Sequence, residues 1–156
     1  MRIMNLAALV SALTIAATAV SADANSDFLS ANAKKPGVKT VAGGLQYKVV
    51  KSGAGAKPNS SDCVTVNYKG TFPDGRVFDQ SKPDHPITFP VQGVIKGWTM
   101  ALQMMHAGDE WMLFIPSTLA YGDRGTPDGT IPGGAALVFD VTLLKTAPSQ
   151  MGQCPE

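Results

Sequence analysis

The sequence predicts an α+β domain, an antiparallel β-sheet with one short helix on one face. Three observations lead there. Short runs of β-branched and aromatic residues recur along the chain, separated by turns rich in Gly and Pro. Only the stretch from Trp98 to Met105 places apolar residues at helical spacing. There is no alternation of strand and helix that would build a parallel sheet. With 156 residues, 44% of them hydrophobic, the chain is long enough for one domain with a real core and accessory segments.

The elements follow in order. Arg2 gives a positive start, Leu6 to Val20 is apolar or small without a charge, and Ala22-Asp23-Ala24 offers small residues for cleavage. Residues 1–24 therefore read as an export leader, too short and too weakly apolar for a good membrane span. Residues 25–43 mix Ser, Asn, Lys, Pro and Gly and read as a linker or an irregular extension. A domain over 44–146 follows. Leu45 to Val49 alternates as a strand, Gly53 to Ser61 is a loop, and Cys63 to Gly70 is a strong strand. Pro73-Asp74-Gly75 is a turn with its glycine placed for positive φ. Val77-Phe78-Asp79 is extended, Gln80 to Pro86 is a polar loop, and Ile87-Thr88-Phe89 is a short strand. Trp98, Ala101, Leu102 and Met105 then mark one face of a helix, which Gly108 is expected to cap. Glu110 to Ile115 is a strand, apolar at successive positions and so covered on both faces or central in the sheet. Pro116 to Gly134 is a long glycine-rich loop, a length that signals function or mobility in a compact domain. Ala136 to Lys145 is the last strand, and 147–156 is a tail.

Lys+Arg 13 against Asp+Glu 12 gives a charge of +1 with no basic stripe or acidic tail. Nothing points to nucleic acid or to an anionic membrane surface. His85 and His106 read as solvated residues. No Ser/His/Asp arrangement, metal cluster or phosphate loop is present, so neither a metal nor a cofactor is expected. What stands out is a stock of aromatic and aliphatic residues at loop mouths, Tyr68, Phe78, Val94, Ile95, Trp98, Tyr121, Ile131 and Phe139, with the acid Asp79 directly after Phe78. Trp98 falls in the first turn of the helix beside Val94 and Ile95. Its ring is either plain core or the floor of an apolar pocket. Cys63 and Cys154 form no metal motif. Under the oxidising conditions that export implies they pair, or else they remain a small buried residue and a loose tail thiol.

Seven motifs occur in sequence: Val64-Thr-Val-Asn-Tyr68-Lys-Gly70, Asp74-Gly75, Val77-Phe78-Asp79, Gly93-Val94-Ile95-Lys-Gly97-Trp98, Ala120-Tyr121-Gly122, Ile131-Pro132 and Leu137-Val138-Phe139-Asp140-Val141. Together they resemble an FKBP-type peptidyl-prolyl cis-trans isomerase over roughly Gly43 to Lys145. The run from Gly97 to Met105, with Trp111 to Pro116, is most similar to the bacterial macrophage infectivity potentiator branch. The resemblance implies a half-barrel antiparallel sheet wrapped around the short helix. It implies Trp98 as pocket floor, with Tyr68, Phe78, Val94, Ile95, Tyr121, Ile131 and Phe139 as walls and Asp79 on the rim. Catalysis would fall to Asp79, Tyr121, Phe78 and Trp98. Its substrates would be proline-containing polypeptides, its inhibitors macrolides, and its place periplasmic or secreted. Ile87 stands where many relatives have an aromatic residue. The long helical dimerisation region of the infectivity-potentiator branch has no room in residues 25–43, so a monomer is expected; the leader holds no cysteine for a lipid anchor, so no membrane attachment is expected once it is cleaved. The competing reading is a binding module or holdase that keeps the pocket but not the catalysis. In this fold type the strand starting at Cys63 and the last strand are expected to be antiparallel neighbours, which brings Cys154 back to Cys63 as a disulfide.

Overall fold

The computed structural model describes residues 22–155. The expected leader therefore lies almost wholly outside the described residues. The elements are α1 (Ala22–Ala33), β1 (Val38–Thr40), β2 (Gln46–Lys51), β3 (Asp62–Thr71), β4 (Val77–Gln80), β5 (Ile87–Pro90), α2 (Lys96–Leu102), β6 (Glu110–Ile115) and β7 (Leu137–Pro148). All strand pairings are antiparallel, in the order β1-β2-β6-β7-β3-β4. β5 adds to the same edge of β3 as β4, nearer the start of the strand. The α+β class expected from the sequence is the one observed.

The core forms where the sheet meets α2. Alternate residues of a strand face one way, and on β6 the buried set is Trp111, Leu113 and Ile115. Val64 and Val66 of β3, and Leu137, Phe139, Val141 and Leu143 of β7, complete the sheet side. Trp98, Ala101, Leu102 and Met105, the face read from the sequence, fill it from above. Gly97 lets the helix come close: a Cβ there would stand 2.6 Å from Ile115 Cγ2. Thr99 Oγ1 ties α2 to the preceding turn by donating to the Val91 carbonyl at 2.7 Å.

Three boundaries differ from expectation. Residues 25–43 are not irregular, for they carry most of α1 and all of β1. The inward face of α1 is Asn25, Phe28, Leu29 and Asn32. Phe28 lies 6.3 Å from Phe114, while Asn32 donates to Gln46 Oε1 and Gln46 donates to the Leu29 carbonyl, each at 2.8 Å. Asn25 Oδ1 accepts from the Ala136 N–H at 3.0 Å. Second, α2 ends at Leu102, and Gly108 (φ 96°) belongs to the next turn. The buried Asp109 carboxylate takes the His106 N–H at 2.8 Å and the Gly53 N–H at 2.5 Å, which pulls this segment out of the helix. Third, β7 runs on to Pro148. The chain then reverses at Gln150 to Gln153, where the two end residues exchange backbone hydrogen bonds and Met151 and Gly152 have positive φ. That turn returns Cys154 to Cys63, with the Cα atoms 5.6 Å apart and the sulfurs bonded.

Candidate functional site

Trp98 sits at the first turn of α2 because Ile95 ends the extended chain and accepts, through its carbonyl, from the N–H groups of Trp98 and Thr99. This leaves the Ile95 N–H outside the helical bonding. Three rings stand nearly perpendicular to the indole: Tyr68 at 5.3 Å and 85°, Phe89 at 5.9 Å and 87°, and Phe139 at 5.2 Å and 83°. Phe78 meets Phe139 edge-on at 5.5 Å. Such edge-to-face packing suits the ring quadrupoles and fixes each ring's tilt. Gly70 of β3 makes room for it, since a Cβ there would stand 2.6 Å from Phe78 Cζ and 2.8 Å from Phe139 Cε1.

The rings enclose an open cavity of about 500 Å³, lined by Tyr68, Phe78, Asp79, Phe89, Gly93, Val94, Ile95, Trp98, Ala120, Tyr121 and Phe139. Apolar surface dominates and the polar groups are few. The Tyr68 hydroxyl donates to Asp79 Oδ2 at 2.7 Å. Burial, then the bond to Asp79 and its charge, push the Tyr68 phenol far above the ordinary tyrosine range. Burial and the Asp79 charge also raise Tyr121. Both hydroxyls therefore stay protonated, able to donate, at physiological pH. Tyr121 is 41% exposed and lines the cavity from the loop after β6.

The family profile described as FKBP-type peptidyl-prolyl cis-trans isomerase matches residues 54–144. The chain belongs to that family. A second profile, for the domain amino-terminal to the FKBP-type isomerase, matches residues 3–49. Among FKBP-type relatives, the isomerase FkpA of Aeromonas hydrophila is 52% identical over 119 residues, 76% of this chain and 44% of that protein. The isomerase Mip of Coxiella burnetii is 50% identical over 125 residues, 80% of this chain and 54% of that one. The chain thus spans about half the length of the curated relatives it matches. A crystal structure of a peptidyl-prolyl isomerase from Pseudomonas syringae pv. tomato matches with a TM-score of 0.76 at 41% identity, covering 80% of this chain and 92% of that one.

In this FKBP-type domain the structure brings together every residue expected at the pocket except one. Ile131 is buried but does not line the cavity. Its N–H donates to Thr126 Oγ1 at 3.0 Å and its carbonyl accepts from the Thr126 N–H at 2.9 Å, so the loop doubles back and carries the side chain into the core. Phe89, Gly93 and Ala120 are walls that the sequence reading missed. Ile87 has the same face as Phe89, two residues on, and it is Phe89 that supplies the aromatic wall. Strand parity carried that signal.

Proposed function

We propose that the protein is a peptidyl-prolyl cis-trans isomerase acting on proline-containing polypeptides in an exported compartment. One observation carries the reading: three rings set edge-on around Trp98, with a single carboxylate at the mouth. An X-Pro bond rotates over a barrier of about 18–20 kcal/mol because its amide is resonance-stabilised. At the twist, resonance and charge separation are lost. An apolar box that receives the proline ring on the Trp98 face favours the twisted form over the planar one, which is differential binding of the transition state. Phe78 completes the box. The Ile95 N–H and the Tyr121 hydroxyl are the donors for substrate carbonyls, and Asp79, oriented by Tyr68, sets the field at the rim.

The site lies wholly within residues 68–139 of one chain, which supports action as a monomer. Macrolides that present a ring to Trp98 would compete for the same box. The disulfide supports export. Removal of residues 1–24 would cut within α1 but keep Asn25, Phe28, Leu29 and Asn32, so each named tether of that helix stays on the mature chain. The domain then spans 44–146 with the extension 25–43 packed on it and 147–156 as a tail. A protease-free assay of proline-limited refolding tests the function. Acceleration at catalytic ratios is expected; rescue of yield only at stoichiometric ratios would establish a holdase instead.

A further inference from the structure

One edge of β3 is paired twice. β5 takes Cys63 to Val66, and β4 takes Lys69 to Thr71. Asn67 and Tyr68 fall in the gap between them. A regular antiparallel rung opposite Tyr68 would exchange two main-chain hydrogen bonds. Here one is main chain: the Ser81 N–H donates to the Tyr68 carbonyl at 2.9 Å. The other is not. The Tyr68 N–H donates to Ser81 Oγ at 2.9 Å. The same hydroxyl faces two acceptors for its proton, Asn67 Oδ1 at 3.1 Å and the Tyr68 carbonyl at 3.4 Å. Pro83 follows two residues on, and the Lys82–His85 bridge turns the chain away from β3. The serine side chain thus replaces a carbonyl that the departing chain withholds. A half-buried N–H left without an acceptor is costly, so this replacement holds the backbone of Tyr68.

Tyr68 is also the residue whose hydroxyl fixes the Asp79 carboxylate. Asp79 lies two residues before Ser81 on the same stretch of chain. A closed ring results: Tyr68 backbone to Ser81, Ser81 back through Gln80 at the end of β4 to Asp79, and Asp79 to the Tyr68 hydroxyl. We propose that Ser81, which does not line the pocket, is a positioning residue for isomerisation, acting through Tyr68 and Asp79. The proposal rests on the isomerase reading above.

The test uses the mature chain, with kcat/KM for X-Pro exchange measured in wild type, Ser81→Ala, Ser81→Thr, Tyr68→Phe and the Ser81→Ala/Tyr68→Phe pair. Ser81→Ala should lose about fivefold, the scale of one neutral hydrogen bond, and Ser81→Thr should restore most of the loss. In the Tyr68→Phe background Ser81→Ala should cost almost nothing more, because the two changes break one ring. Amide exchange should show the Tyr68 N–H deprotected in Ser81→Ala while the β6–β7 amides keep their protection. An active wild type with an unaffected Ser81→Ala, or an equal loss in both backgrounds, overturns the role of Ser81 alone. A wild type without catalysis overturns the isomerase reading as well.

Discussion

The Tyr68 hydroxyl donates a 2.7 Å hydrogen bond to the Asp79 carboxylate at the mouth of the pocket. Burial and this partner raise the Tyr68 phenol, and burial with the Asp79 charge raises Tyr121. Both therefore remain donors beyond the ordinary tyrosine value of about 10. The expected pH profile of kcat/KM is flat from neutrality to about pH 9.5. A fall centred below pH 9 would contradict it. Both phenols bind their protons more tightly in the folded chain than in the unfolded one. The stability they contribute is thus complete below about pH 10 and is lost as pH rises above it.

Tyr121 and Asp79 should matter to turnover more than to folding, since both are exposed at the rim. Tyr121→Phe should keep the thermal midpoint and lose about 1 kcal/mol of transition-state binding, one neutral hydrogen bond. Asp79→Leu should lose more, because it removes the charge and strands the Tyr68 hydroxyl. Rates and melting curves of both variants check this; wild-type rates would refute the roles given to them.

The Cys63–Cys154 bond closes a loop with a sequence separation of 91 residues. The chain-entropy model gives about 4–5 kcal/mol for such a closure, an upper figure because the unfolded chain keeps some structure. Cys154→Ala should therefore lower stability clearly while leaving kcat/KM near wild type, since neither sulfur lines the pocket. Denaturant melts with and without reductant measure it, and reductant should move the wild type but not the variant.

Asp109 is the buried carboxylate that joins two loops. Asp109→Ala strips acceptors from the Gly53 and His106 N–H groups at once. A loss of about 3 kcal/mol or more is expected from two bonds to a charged group. Activity at low temperature should survive. A variant as stable as wild type would show that these bonds are replaceable.

Strands were legible where β-branched and aromatic residues alternate, as in β3 and β7, and Trp98 was legible because helical spacing resumes after Val94 and Ile95. α1 was not. Its inward face carries Asn25 and Asn32, amides whose partners, Ala136 N–H and Gln46, are distant in sequence. An apolar stripe would have marked a helix; one that is half amide, with the amides satisfied by tertiary contacts, does not. Gly108 misled in the opposite sense, since a left-handed glycine serves a turn as readily as a helix end. Ile131 and Phe89 depended on how a loop doubles back and on strand parity. Ser81 lay beyond reach, because a hydroxyl standing in for a carbonyl becomes visible only when two strands share one edge.

The most direct test is exchange spectroscopy on a Leu-Pro peptide with catalytic amounts of the mature chain, with and without a saturating macrolide. Cis-trans exchange well above the uncatalysed rate is expected, returning to that rate once the pocket over Trp98 is filled. Exchange at the uncatalysed rate, or acceleration that the macrolide leaves untouched, would contradict it.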